Sequence, residues 1–155
     1  MLGIECEKPA KEIIAAAMEK GALGVSFGLT YVPGCYAKTE ELIEMAKVAA
    51  EFGGIAAAHI RGEGETMVKA TAEFIEICRK SGVRGVHSHH KVCGRQYWGA
   101  VNTTLQMLDD AVAEGLEIYT DVYPYTASSS TFSTGFIPRT WCSGGVDALL
   151  KRAED

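Results

Sequence analysis

The chain has 155 residues, of which 47% are hydrophobic and 23% charged, with a formal net charge of −5. This composition is typical of a globular protein with a buried core, but a complete eight-stranded α/β barrel needs about 250 residues. The acidic balance argues against a nucleic-acid partner, and the absence of both a ~20-residue apolar run and a signal-peptide pattern argues against a membrane partner.

Amphipathic helices alternate with short apolar strands along the chain. Helices are predicted over "PAKEIIAAAMEKG", over "TEELIEMAKVAAEFGG" with Thr39 as its N-cap, over "ETMVKATAEFIEICRKSG" and over "WGAVNTTLQMLDDAVAEG". The strands "LGVSFG", "IAAAHI", "VRGVHSHH" and "EIYTDVYPY" begin near residues 23, 55, 83 and 117. This spacing of roughly thirty residues is that of a βα unit. A last helical pattern, "VDALLKRAED", ends the sequence.

Strands that alternate with helices of this length indicate a parallel sheet with right-handed crossovers. We therefore expect an α/β fold with about four βα units, forming a partial (β/α)8 (TIM-type) barrel as one segment over residues 1–155. A small doubly wound sheet is the alternative. Because a half-barrel leaves strand edges and one sheet face unprotected, we expect either self-association or cover from the remainder of a barrel.

The four histidines all lie where predicted strands end. His59 closes the second strand, and His87, His89 and His90 close the third. Alternation along a strand would put His87 and His89 on one face, with His89 nearer the carboxyl end, where parallel α/β folds gather reactive groups. We therefore predict that His59 and His89 share a metal, for which zinc is the best match to two imidazoles. A third ligand must come from elsewhere, and hydrogen-bonded polar strand ends remain the alternative.

Other polar residues at the same edge could contact a substrate. Lys91 and Arg61 each follow a candidate histidine by two positions, which suits an anionic substrate, although solvated loop charges are an equal alternative. Tyr31, Tyr123 and Tyr125 could anchor a substrate or pack at the rim. The "RGEGE" stretch lacks the lysine and hydroxyl residue of a phosphate loop.

The five cysteines are widely spaced and include no C-x-x-C pair, which predicts reduced thiols and a cytoplasmic protein. Cys93 lies at the edge of the predicted site and is a less favoured candidate ligand. The full set is Cys6, Cys35, Cys78, Cys93 and Cys142.

Several longer stretches resemble one enzyme family. They are "GALGVSFGLTYVPGCYAKTEELIEMAKVAAEFGGIAAAHIRGEGE", "HSHHKVCGRQYWG" and "DVYPYTASSS". In this order, and from about residue 9 to residue 135, they are similar to the D-aminoacylase (N-acyl-D-amino-acid deacylase) family of the amidohydrolase superfamily. The resemblance implies a zinc hydrolase on a distorted (β/α)8 barrel beside a small β domain. The implied reaction cleaves the amide of an N-acyl-D-amino acid to a carboxylate and a D-amino acid.

The resemblance also implies roles for individual residues. The zinc ligands would be His59 of "AHIR" and His89 of "SHHK". Lys91 would contact the substrate carboxylate, and the other substrate-binding positions would be Tyr31, Tyr123 and Ser129.

The chain departs from the family pattern at both ends. The H-x-H pair of the first barrel strand, an upstream metal-binding cysteine and the catalytic aspartate of a "GSDG"-like stretch are not present. We therefore expect a middle segment of the enzyme that is inactive on its own, with no catalytic residue to assign. The alternatives are another amidohydrolase of the dihydroorotase or hydantoinase type, and a non-catalytic half-barrel that self-associates.

Overall fold

The computed structural model describes residues 7–131 and 136–154. Four strands form one parallel sheet: β1 (Gly24–Gly28), β2 (Ile55–His59), β3 (Arg84–His87) and β4 (Ile118–Thr120). Their spatial order is the order of the sequence, β1-β2-β3-β4. A doubly wound sheet reverses its strand order at a switch point, whereas a barrel does not. The sheet therefore has the topology of a barrel segment, and the predicted α/β fold with four βα units is confirmed.

The helices are α1 (Glu7–Glu19), α2 (Thr39–Glu51), α3 (Met67–Ser81), α4 (Ala100–Ala113) and α5 (Gly145–Glu154). Helices α1 to α4 lie side by side, each against the next, and cover the sheet. Across residues 7–131 and 136–154, no helix is both long and apolar enough to cross a membrane.

The core lies between the sheet and this helix layer. The register places Phe27, Ala58 and His87 in one row across three strands, facing the helices. Ala58 and Phe74 of α3 are fully buried in the same cluster. Gly85 lets α3 approach β3, because a Cβ at this position would lie 2.5 Å from the Cys78 sulfur. Small residues on the strands therefore set how closely the helices pack.

The opposite sheet face is open. The register aligns Ser26, Ala57, Val86 and Tyr119 across the four strands on this side. Tyr119 is 61% exposed, and Ser26 is also exposed. This is the face that a closed barrel would turn towards its interior.

Two details of the local prediction are wrong. Thr39 is the first residue of α2 rather than its N-cap, which is Lys38. The Thr39 hydroxyl instead donates to Glu73 Oε1 at 2.8 Å, so it joins α2 to α3. Strands β3 and β4 also end earlier than predicted, at His87 and Thr120, because the chain turns there towards the candidate site.

Candidate metal and substrate site

His59 is the last residue of β2 and lies at the carboxyl edge of the sheet. Its neighbour in the register is Gly28 of β1, which has no side chain to fill the space above the strand end. The His59 ring centroid is 4.9 Å from that of Tyr31 and 4.6 Å from that of His89. The end of β2 therefore places one imidazole between a tyrosine and a second imidazole.

His89 reaches the site through a turn rather than through strand alternation. The strand β3 ends at His87, and His89 has a left-handed backbone with φ of 40°. The backbone N–H of His89 donates to the Asp121 carboxylate, which holds the turn against the loop after β4. His87 is 1% exposed and its Nε2 lies 3.4 Å from Thr71 Oγ1 of α3. The expectation that His87 and His89 share one face is therefore wrong.

Glu63 completes a cluster of potential metal ligands with His59 and His89. Unlike the two histidines, it was not predicted from the sequence. Its Oε1 lies 3.0 Å from His89 Nδ1 and 3.9 Å from His59 Nε2. One ligand atom from each of these three residues lies within 4.8 Å of the other two. Glu63 belongs to "RGEGE", which does not match a phosphate loop. A carboxylate four positions after a strand-end histidine, in the loop on the same sheet edge, is the signal that could have identified it.

The ammonium group of Lys91 contacts two members of this cluster, Glu63 and His89. Lys91 Nζ donates to Glu63 Oε1 at 2.5 Å and lies 2.9 Å from His89 Nδ1. It also donates to the backbone carbonyl of His89 at 3.1 Å, and it lies 5.4 Å from the centroid of the Tyr123 ring. A single positive charge thus occupies a position between donors suited to a metal cation.

These side chains border one open cavity of about 960 Å³. The cavity brings together the residues that the family resemblance predicted to bind metal or substrate, together with Glu63 and Cys93. The predicted residues are His59, His89, Lys91, Tyr31, Tyr123 and Ser129. Tyr125 also lines the cavity and is 73% exposed.

Arg61 takes a different role from the one considered for it. Its guanidinium forms a two-pronged ion pair with Glu73, through Nε and Nη2 at 2.9 Å each. It also donates to the carbonyls of Cys35 and Ala37 at 2.8 and 3.0 Å. Burial alone would raise the pKa of Glu73, but the hydrogen bonds from Arg61 and Thr39 outweigh it and lower that pKa. Arg61 therefore ties the loop before α2 to α3 and does not line the cavity.

Two of the four histidines, His87 and His90, are buried rather than exposed to the cavity. Burial, followed by the proximity of His90, lowers the pKa of His87 to about 4. Burial also lowers the pKa of His90, whose Nε2 lies 3.0 Å from Thr104 Oγ1 of α4. Nδ1 of His87 is buried with no hydrogen-bond partner among the described residues. This pair packs between the sheet and the helices, so the two residues differ in role from His89.

Cys93 borders the cavity as a protonated thiol. Its sulfur lies 3.9 Å from Glu63 Oε2. Burial and the nearby Glu63 carboxylate raise the pKa of the thiol. Because the thiolate is the form that binds metals, Cys93 is a weaker donor than the two imidazoles and the carboxylate.

The donor chemistry of the cluster suits a zinc ion. Zinc accepts imidazole nitrogen and carboxylate oxygen, and catalytic zinc sites use three protein ligands. His59, Glu63 and His89 supply such a set, all three partly exposed to the cavity. A parallel sheet in barrel order with these donors at its strand ends has the arrangement of a segment of a (β/α)8-type barrel that carries a candidate metal site.

Comparison with known proteins gives the family. The chain is 39% identical to the N-acyl-D-glutamate deacylase of Alcaligenes xylosoxydans xylosoxydans over 124 residues, 80% of this chain and 25% of the relative. It is 38% identical to the D-aminoacylase of the same organism, over 85% of this chain and 28% of the relative. The chain is therefore homologous to a segment of the D-aminoacylase family, as the motifs predicted.

Solved structures agree with this assignment. A zinc and phosphonate-inhibitor complex of the N-acyl-D-glutamate deacylase from Bordetella bronchiseptica superposes with a TM-score of 0.78 at 38% identity. That match covers 79% of this chain and 26% of the deacylase. The L-hydantoinase from Arthrobacter aurescens shares the fold alone, with a TM-score of 0.57 at 16% identity over 74% of this chain and 30% of its own. No protein-family model matches the chain. The chain spans about a quarter of the length of its curated relatives.

Proposed function

We propose that this chain forms part of a zinc-dependent hydrolase that cleaves the amide bond of N-acyl-D-amino acids, releasing a carboxylate and a D-amino acid. The observation that carries the proposal is the cluster of His59, Glu63 and His89 in the cavity at the strand ends. The homology to deacylases over about 80% of the chain supports the reaction class. Low identity to the hydantoinase does not favour the alternative amidohydrolase reactions.

In this proposal His59 and His89 hold the zinc ion, with the Glu63 carboxylate beside them. Zinc at such a site polarises an amide carbonyl and lowers the pKa of bound water. The chain's own contribution is to fix the two imidazoles. The strand end fixes His59, and the turn held by Asp121 fixes His89.

The same cavity offers groups that match the rest of the substrate. Lys91 is the only lysine or arginine among the described residues that line it, and it would pair with the substrate carboxylate. Tyr31 and Tyr123 stand on either side of the imidazoles, and their rings can contact the acyl or amino-acid side chain. Ser129 adds a hydroxyl to the lining of the same cavity.

We propose that the isolated chain is inactive. The resemblance implies a catalytic aspartate and a further metal-binding cysteine that have no counterpart in this sequence. Two imidazoles and one carboxylate can bind a metal, but a hydrolase also needs a base aligned with the attacking water. Residues outside this chain would have to provide that base.

We also propose that the open sheet face is covered in the working protein, either by further barrel strands or by a second copy of the chain. The exposed side chain of Tyr119 on that face supports cover by another protein surface, because burying an aromatic side chain is favourable. A molar mass from light scattering would separate the two arrangements, since only self-association gives a dimer.

The free thiols of Cys35, Cys78, Cys93 and Cys142 support a cytoplasmic location.

Zinc content measured after metal loading and desalting tests the metal proposal. We expect the wild-type chain to retain zinc, and His59→Ala and His89→Ala each to lose it while keeping the circular dichroism spectrum of the fold. Unchanged zinc content in both variants would refute the ligand assignment. Hydrolysis of N-acetyl-D-methionine by the zinc-loaded chain alone would refute the proposed inactivity.

A further inference from the structure

The position of Lys91 points to a competition between its side chain and the metal. We propose that the Lys91 ammonium occupies the cation position of the site when no metal is bound, and that metal binding displaces it into the substrate cavity. This inference rests on the proposed zinc site. Its consequence is that metal loading releases the positive charge that the substrate carboxylate requires.

The contacts of Lys91 involve the atoms that a metal would need. Its Nζ donates to Glu63 Oε1 at 2.5 Å and lies 2.9 Å from His89 Nδ1. Those same two atoms are 3.0 Å apart and form the tightest edge of the potential ligand cluster. An imidazole nitrogen has one lone pair, so His89 Nδ1 cannot accept a hydrogen bond from Lys91 and bind a metal at the same time.

Charge is a second reason why the Lys91 ammonium and a metal ion cannot occupy the site together. An ammonium and a divalent cation within a few ångströms of each other repel strongly at a partly buried site. The side chains of Lys91 and Glu63 are only 21% and 15% exposed, so water screens this repulsion poorly. In the metal-free chain the ammonium balances the carboxylate. Once a metal has bound to Glu63, that carboxylate no longer balances the positive charge of Lys91.

The displaced side chain has a defined direction in which to move. Nζ already lies 5.4 Å from the centroid of the Tyr123 ring, and both residues line the cavity that also contains Ser129. A lysine has four rotatable bonds, so its ammonium can leave Glu63 and remain inside this cavity. There it would meet the carboxylate of an N-acyl-D-amino acid. Metal binding and carboxylate binding are therefore linked, and each strengthens the other.

A zinc titration against a chromophoric chelator tests this linkage in the full chain. Lys91→Met removes the competing ammonium, and we expect it to bind zinc about tenfold more tightly than wild type, within the usual range of coupling between sites. Lys91→Arg keeps a positive charge and should stay close to wild type. Lys80→Met is the matched control, because Lys80 forms an exposed ion pair with Glu76 on α3, does not line the cavity, and its loss changes net charge equally.

Adding N-acetyl-D-methionine separates competition from a general charge effect. We expect it to tighten zinc binding by the wild-type chain and to have no such effect on Lys91→Met. Equal zinc affinity of wild type and Lys91→Met would overturn the competition while leaving the zinc site intact. Tightening by N-acetyl-D-methionine that persists in Lys91→Met would overturn the linkage. Absence of zinc binding by both proteins would overturn this inference together with the proposed function.

Discussion

Glu63 Oε1 lies 3.0 Å from Nδ1 of His89, so a carboxylate from the loop after β2 meets an imidazole from the turn after β3. The backbone keeps the two loops together, because the N–H of Cys93 donates to the carbonyl of Glu63 at 2.6 Å. The main chain that carries the carboxylate is therefore anchored, and the carboxylate itself pairs with Lys91 in a partly buried position. From its position next to both imidazoles, we expect it to contribute to metal affinity.

The variant Glu63→Gln tests that conclusion. We expect zinc affinity to fall about 10- to 100-fold, the usual cost of losing a carboxylate in or around a metal's ligand set. Glu65→Gln is the control, since Glu65 lies two positions further along the same loop with an exposed side chain. A chelator competition assay gives both affinities. An equal, small change in the two variants would mean that Glu63 acts only through net charge.

The sequence was sufficient to predict the fold class because helix and strand periodicities repeat along the chain. It also indicated that His59 and His89 would lie together, since parallel strands end at one edge. The reason given for His89 was wrong, because the alternation rule fails once β3 ends at His87 and the backbone turns left-handed at His89. Glu63 was missed because its loop follows no periodic pattern. Contacts between loops depend on tertiary structure, which local spacing does not report.

Acid is expected to destabilise the fold through His87. Its pKa is lowered by burial from 6.5 to about 4, so the unfolded chain binds a proton more readily than the folded chain below pH 6.5. Stability from this group is complete above that pH and declines as the pH falls towards 4. Between pH 7.5 and pH 5 the linkage relation gives a loss of about 2 kcal/mol from this residue.

Urea unfolding at the two pH values measures this effect. His87→Gln cannot titrate in this range but keeps a polar group that can reach Thr71 Oγ1. We expect the fall in the free energy of unfolding from pH 7.5 to pH 5 to be about 2 kcal/mol smaller in the variant. His90 keeps its own lowered pKa in both proteins, so the remaining acid sensitivity is common to them. An identical fall in both proteins would show that His87 is not the responsible group.

Arg61 is expected to matter for stability more than for substrate binding. Its planar guanidinium reaches Glu73 and two loop carbonyls together, a geometry that lysine cannot reproduce. Arg61→Lys should lower the free energy of unfolding by about 1–3 kcal/mol, because hydrogen bonds to partly buried acceptors are lost. Arg79→Lys alters an exposed ion pair with Glu114 and should change it by at most about 0.5 kcal/mol. Equal effects of the two substitutions on urea unfolding would contradict the assignment.

Gly85 faces α3 and is expected to tolerate alanine poorly. A Cβ there would lie 2.5 Å from the Cys78 sulfur and 3.0 Å from Cζ of Phe74, and both side chains are fixed in the core. Gly85→Ala should therefore push α3 away from β3 and cost about 1–3 kcal/mol, the usual effect of overpacking. Gly99→Ala is the control, because a Cβ at Gly99 would have no neighbour within 4 Å and its φ of −63° suits any residue. Urea unfolding compares the two variants, and a Gly85→Ala protein as stable as Gly99→Ala would show that α3 can shift without loss of packing.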